Sequence, residues 1–388
     1  MTRSLLMITT RPLIPNNSGY TIRMYNYLKE LKKSGIKITL LSFFASKLEL
    51  TEPYNEICDK IIPIYYNKSL SYLRCMRAIF TNKPFKAEYY SSLNAKKIIE
   101  EEIKNNSYDY ICGYHYLTEQ FLKKYPNKKW IDLCDAISLL HERNINTSKN
   151  FFNKLFLKIE KERVLNIEKQ CIQDFDIVTL ISDVDKDFLN SFIDCAKVKI
   201  VKNGVFEPIN SNIRYNSNEI CFLGDMGYVQ NHQACTYFIK NILPKLQEKN
   251  RNISFKIVGK NPKSELYELA TLYKNITITG RVDDITKELQ TSNVMVCPIS
   301  ISAGLQNKVL EAMALGIPTI VTKQIAQPIT LDGQILIQAN SEEEWLNNIQ
   351  LLVNNPTIRE QYSITGKKFV KEHYNWEIEV RKLGINNE

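Results

Sequence analysis

Short apolar runs alternate with amphipathic stretches from one end of this chain to the other. A run of four to six apolar residues has no polar face to offer water, so it must be covered on both sides, and the amphipathic stretch that follows is what covers it. The pattern predicts βα units and parallel sheets, an α/β class. Strands are expected at residues 5–9, 38–43, 108–112, 130–133, 177–181 and 198–201, with a helix over about 20–34. The pattern restarts at 219–223, followed by a helix near 234–249 and strands at 255–258, 276–279, 294–298 and 319–322. Between the two series, residues 206–218 are rich in Asn and Ser and lack periodicity, so they read as a linker. Two doubly wound lobes are implied, over 1–205 and 219–366.

The 388 residues suffice for two such cores, and 44% hydrophobic with 24% charged residues is ordinary for a globular protein. The longest apolar stretches, 61–66 and 312–318, fall far short of the ~20 residues needed to cross a bilayer. The chain starts with an apolar run too short for a signal peptide, so the expected location is the cytoplasm or the inner face of the cell membrane. Nine cysteines without a C-x-x-C pair fit neither a disulfide framework nor a zinc ribbon, and four scattered histidines suggest no metal site. Of the net charge of +9, all sits in residues 1–205, which hold 32 Lys+Arg and 23 Asp+Glu; the rest of the chain holds 19 of each. Between 65 and 90 the cations Lys68, Arg74, Arg77, Lys83 and Lys86 interleave with Tyr66, Tyr72, Phe80, Phe85, Tyr89 and Tyr90. Such a rim suits an anionic acceptor or an anionic lipid surface; a merely solvated surface reads equally well. No nucleic acid is expected as a partner.

No G-x-G-x-x-G, P-loop or G-x-S-x-G follows any expected strand, which disfavours dehydrogenases, P-loop NTPases and α/β-hydrolases. The most informative segment is 302–321. A loop containing Gly304 opens a helix there, and free amides at a helix N-terminus suit a diphosphate. Lys308 in the first turn can add positive charge, and Glu311 three residues later can accept hydrogen bonds from two ribose hydroxyls. Alternatively, Lys308 and Glu311 are a surface pair on an ordinary helix.

The run Asn307-Lys-Val-Leu-Glu-Ala-Met-Ala-Leu-Gly-Ile-Pro resembles the donor-binding signature of the GT-B glycosyltransferases, in particular the retaining family 4, the group 1 glycosyltransferases. Segments 11–23, 201–205, 222–231, 257–262, 279–284 and 374–376 resemble further loops of that family in the same order. The resemblance implies two Rossmann-like lobes facing a central cleft, with the C-terminal helix, about 367–388, returning to the first. It implies a nucleotide-sugar donor held by the second lobe: Glu311 on the ribose, amides of Gly304 and Leu305 with Asn307 and Lys308 on the phosphates, and Gly280, Arg281 and Val282 on the base, with Gly259 nearby. Gly19, Arg23, Gly224 and Asn231 would form the donor-phosphate or acceptor loops. Asp135, His115 and Lys308 are the catalytic candidates; a cap or turn role for Asp135 and a packed His115 remain open. The chain departs from the family pattern in having Ala303 eight residues before Glu311, and Asp225 and Gln230 where phosphate-binding Arg and Lys are usual. The implied activity is metal-independent glycosyl transfer from a nucleoside-diphosphate sugar to a glycan or lipid-linked hydroxyl acceptor in bacterial cell-surface synthesis, without a cofactor. A catalytically silent subunit or a nucleotide-sugar 2-epimerase are the alternatives.

Overall fold

The structure, a computed structural model, describes residues 3–14, 19–49, 54–205, 218–300 and 305–385, so most of the expected linker and Gly304 lie outside the described residues. The chain divides into two units, Met1–Asn203 with Trp376–Glu388, and Gly204–Asn375.

The first unit is built on seven parallel strands: β1 (Ser4–Thr9), β2 (Lys37–Phe44), β3 (Lys60–Tyr65), β4 (Tyr110–Tyr114), β5 (Lys128–Cys134), β6 (Ile177–Leu180) and β7 (Val198–Ile200). Their order is β3-β2-β1-β4-β5-β6-β7. In β1 every residue from Leu5 to Ile8 is fully buried, because the pleat sends alternate side chains to opposite cores. Leu6 and Ile8 join Ile111, Ile131 and Val178 on one face. Leu5 and Met7 join Cys112, Trp130 and the Trp376 ring on the other. The last helix, Trp376–Arg381, therefore belongs to this unit, and the Trp376 ring meets Tyr27 edge-on at 5.9 Å. The preceding helix, Pro356–His373, belongs to the second unit, although from 367 onward it was expected with the first. Strand β3 was not expected. Pro63 interrupts it and donates no hydrogen bond, which an edge strand paired only with β2 tolerates.

The second unit holds β8 (Glu219–Leu223), β9 (Ser254–Val258), β10 (Ile276–Gly280), β11 (Val294–Cys297), β12 (Thr319–Val321) and the two-residue β13 (Ile337–Gln338), ordered β10-β9-β8-β11-β12-β13. The helix expected near 234–249 starts earlier, at Val229, and reaches Lys249 through a wider π turn at Phe238–Ile242. Helix Asn307–Leu315 stops at Gly316, which takes the left-handed conformation at φ 82°. A Cβ on Gly316 would stand 2.3 Å from Lys367 Cε, so this glycine also lets helix Pro356–His373 pack close. In each sheet the strand order reverses once, between β1 and β4 and between β8 and β11. Loops diverge at such points and leave a crevice at the carboxyl ends of the strands.

Candidate functional site

In the second unit, the loops after β8 and β9 lie backbone against backbone. The Gly224 N–H donates to the Val258 carbonyl at 2.9 Å, and a Cβ on Gly259 would fall 1.8 Å from the Gly224 oxygen. Gly259 also sits at φ 142°, a conformation L side chains rarely adopt, so no larger residue fits there. Gly224 in turn faces Asn231, whose Nδ2 would be 2.8 Å from a Cβ at that glycine. The Asn231 amide ties the crevice together: its Nδ2 donates to the Asp225 carbonyl at 2.9 Å and its Oδ1 accepts from Lys308 Nζ. Lys308 Nζ also stands 5.1 Å from the centre of the Phe222 ring.

The Lys308 ammonium is thus held by a neutral amide and an aromatic face. Burial pulls its pKa down, opposed by the Cys297 and Cys235 thiols and by Glu311. Glu311 is also partly withdrawn from water; burial pushes its carboxyl pKa up, and Lys308 pulls it back. Both residues are half-buried, which argues against a fully solvated surface pair. A half-buried ammonium whose hydrogen-bond partner is neutral carries a desolvation cost that an arriving anion relieves.

Asp225 stands where the resemblance implies an arginine, and its carboxylate is turned into its own loop, accepting from the Gly227 N–H and from Asn261 Nδ2, both at 2.9 Å. Lys260 Nζ stands 3.8 Å from it. Around the same strand ends, Gly280 takes φ 69° with open space beside it, Arg281 is exposed, and Val282 packs on the cluster of Leu223, Val258 and Leu289. Leu305 is buried, and Asn307 opens the helix that carries Lys308 and Glu311.

In the first unit, Gly19 starts helix Gly19–Lys33 with open space at its Cα. Arg23, expected to reach phosphates or acceptor, is fully buried instead. Its Nε and Nη2 grip both oxygens of Asp132 at 2.8 and 3.1 Å, and Nη1 donates to Asn203 at 2.8 Å. Asp132 also accepts from Thr179 at 2.8 Å, so the pair is an internal brace between the first helix, β5 and β6. That is a correction: a guanidinium enclosed with its counter-ion has no donors to offer a ligand.

Two non-glycine residues at neighbouring strand ends take left-handed backbone, His115 after β4 at φ 70° and Cys134 in β5 at φ 65°. Such strain costs roughly 1–3 kcal/mol per residue and clusters at functional sites. Burial, with Lys86 and Arg11 nearby, pushes the His115 pKa down to about 3, so the ring is neutral at ordinary pH, and its Nδ1 has no partner among the described residues. Burial and the neighbouring Asp185 push the Asp135 carboxyl up to about 7. Beside it, Glu168 accepts from Ser138 and the Ile137 N–H, and burial lifts its carboxyl to about 8. Asp185, Glu168, Arg11 and His141, whose pKa burial and Lys86 lower, were not expected in this group. No motif spacing marks them, since Glu168 reaches Ser138 across 30 residues and Asp185 reaches the Ala136 N–H across 49.

The four residues expected to form one basic rim are split. Arg74 reaches the Tyr89 carbonyl at 3.4 Å, Arg77 stands 4.0 Å from Glu88, and Lys83 lines a cleft with Lys123, Arg163 and Lys169. Lys86 lies instead near Arg11, His115 at the end of β4 and His141 in the helix Ile137–Thr147.

Residues 217–355 match the family model of the group 1 glycosyl transferases. Together with the two reversing sheets, that decides the fold. The chain has the GT-B fold, and its second unit is similar to the group 1 glycosyl transferases. An uncharacterized glycosyltransferase of Methanocaldococcus jannaschii is 26% identical over 256 residues, 61% of this chain and 64% of that protein. A relative of the same description from Haemophilus influenzae aligns over 54% of its length, so the chain spans less than two thirds of either curated relative. Among solved GT-B structures, S. aureus TarM, in a variant bound to fondaparinux, α-GlcNAc-glycerol and UDP, superposes with a TM-score of 0.70 at 13% identity over 100% of both chains. WaaG, a glycosyltransferase of lipopolysaccharide biosynthesis, superposes with a TM-score of 0.68 at 12% identity over 99% of both.

Proposed function

We propose that this GT-B chain transfers a glycosyl unit from a nucleoside-diphosphate sugar to a hydroxyl acceptor, with retention of configuration. The observation that carries the proposal is Lys308, a half-buried ammonium bonded to a neutral amide at the switch point of the second sheet. The donor diphosphate would supply this ammonium with an anion to bond directly, beyond the field of Glu311. Glu311, one turn along, accepts from the ribose hydroxyls, and residues 280–282 hold the base through backbone groups. In transfer, the C1–O bond to the diphosphate breaks and a C1–O bond to the acceptor forms as the acceptor hydroxyl loses its proton. Charge develops on the departing diphosphate, and Lys308 stabilises it there without a metal ion. Among the described residues no cluster of His, Cys, Asp and Glu could hold a metal.

In the first unit, Asp135 is the group that engages the sugar. A carboxyl poised at about 7 exists in both protonation states near neutrality, so it can donate to or accept from a sugar hydroxyl. His115, neutral and strained with a free Nδ1, is the second. WaaG is a glycosyltransferase of lipopolysaccharide biosynthesis and TarM binds UDP with α-GlcNAc-glycerol, and a glycan or lipid-linked acceptor of a bacterial surface pathway is proposed here by analogy.

A catalytically silent subunit is the second reading, favoured by Asp225, whose carboxylate is committed to its own loop where an arginine would meet phosphate. Thermal shift against a panel of nucleoside diphosphates and their sugars tests donor binding. Calorimetry on Glu311→Gln then assigns the ribose contact: loss of a charged hydrogen bond of about 1.5–3 kcal/mol weakens the donor about 10- to 100-fold. Unchanged affinity removes Glu311 from the donor site.

A further inference from the structure

The first unit exposes an apolar surface that its own fold leaves uncovered. Helix Lys68–Cys75 and the short turn Met76–Ile79 that extends it present Tyr72, Leu73 and Phe80 at 67%, 66% and 88% exposure. The start of helix Phe151–Asp174 presents Phe151 and Phe152 at 72% and 79%, followed by Phe156 and Ile159 along the same stripe. Helix Phe151–Asp174 packs beside the turn Met76–Ile79 and the helix Phe85–Tyr90 that follows it. Arg163 Nη2 donates to the Ala78 carbonyl at 2.7 Å, Glu160 accepts from the Phe85 N–H at 3.1 Å, and the Phe85 and Phe156 rings are 5.5 Å apart. Single exposed apolar residues are ordinary, but sets of them on elements joined by these contacts mark a contact surface.

Charge identifies the occupant. Residues 67–87 carry five Lys and Arg and no Asp or Glu, and residues 143–159 carry four and none. Of the flanking carboxylates, Glu88 and Glu160 are buried at 1% and 5% exposure, while Glu142 and Glu162 lie 2.7 and 3.9 Å from the ammonium of Lys161, so the face keeps a net positive charge. Beside this face lies a cleft of about 580 Å³ lined by Lys83, Lys123, Arg163 and Lys169, with Glu119 the one carboxylate among its lining residues. Aromatic and aliphatic side chains ringed by cations match the boundary between acyl chains and anionic headgroups. A second copy of this chain fits worse, because a two-fold contact would bring this net-basic surface against itself.

We infer that this face, formed by helix Lys68–Cys75, the turn after it and the first two turns of helix Phe151–Asp174, docks the protein on an anionic membrane. The aromatic residues enter the interface and the cations engage lipid phosphates. No helix among the described residues is long and apolar enough to cross a membrane, so this is attachment to one leaflet.

Cosedimentation of the full chain tests this with vesicles of phosphatidylcholine alone and with one third phosphatidylglycerol. Binding is expected only to the phosphatidylglycerol vesicles, weakening as salt screens the headgroups. The double variants Phe151→Ser with Phe152→Ser, and Lys68→Glu with Lys158→Glu, should each lower partitioning about tenfold or more. All four side chains are solvent-facing, so thermal melting and nucleoside-diphosphate binding should stay as in the parent. Absence of vesicle binding, equal binding to neutral vesicles, or variants that bind like the parent would overturn the inference. So would a light-scattering dimer that the Phe151→Ser, Phe152→Ser variant dissociates while no vesicle is bound. Because donor binding is measured on the same samples, failure of the membrane inference and failure of the glycosyl-transfer proposal are told apart.

Discussion

Replacing Lys308 by Met keeps most of the volume of the side chain and removes its charge. Two effects of opposite sign should result. In the free protein, the ammonium is partly withdrawn from water, held by the Asn231 amide and the Phe222 ring, and burial lowers its pKa. Deleting a half-buried charge of this kind removes its desolvation cost and loses one hydrogen bond and a cation–π contact, so stability should stay within about 1 kcal/mol of the parent. In the donor complex, the same deletion removes a charge-assisted contact of about 1.5–3 kcal/mol, so the Kd for a nucleoside diphosphate should rise about 10- to 100-fold. The pH dependence follows from the same shift. A lysine whose folded pKa lies below its unfolded value leaves more protons on the unfolded chain between the two, so stability gains as pH rises through that window. Lys308→Met should remove that gain. Calorimetric titration paired with urea unfolding reads both quantities on one sample. An unchanged Kd refutes Lys308 as the phosphate group, and a parallel loss of affinity and stability would make it a structural lysine.

Gly259→Ala should destabilise the second unit by about 3 kcal/mol or more in urea unfolding, because its Cβ would stand 1.8 Å from the Gly224 oxygen at a φ that alanine disfavours. Arg23→Leu strands Asp132 in the interior and should cost about 3–5 kcal/mol, while nucleoside-diphosphate affinity measured below the unfolding transition stays at the parent value. Asp135, raised to about 7 by burial and Asp185, contributes stability that is fully present below about pH 4 and lost as pH rises through about 7. Asp135→Asn should therefore make the decline of stability over that range shallower in pH-dependent thermal melts, with the remaining decline carried by Glu168.

The central strands were legible because they are continuous apolar runs: 219–223 was expected and Glu219–Leu223 is found, and 177–181 became Ile177–Leu180. The edge strands β7 and β10 were also legible, whereas β3 and β13, the other two edges, were not. In β3 only Ile64 is buried, and Pro63 argues against a ladder; β13 is two residues long. The pairing of Lys308 with Glu311 was legible from their spacing, whereas their burial was not. It depends on Asn231, 77 residues away, and on Phe222 from β8. Arg23 was misplaced for the same reason. An arginine at a helix start looks available until Asp132, 109 positions later, closes on it. The acidic pair of Asp135 and Asp185 is likewise a product of packing β5 beside β6, which no local pattern announces.

Release of free nucleoside diphosphate from a panel of nucleoside-diphosphate sugars tests the central claim most directly. At least one donor should be consumed by the parent protein, with turnover strongly reduced in Glu311→Gln and Lys308→Met. Tight binding of a nucleotide with no release from any sugar nucleotide, with or without glycan and lipid-linked acceptors, would contradict glycosyl transfer and leave the chain a silent member of its fold.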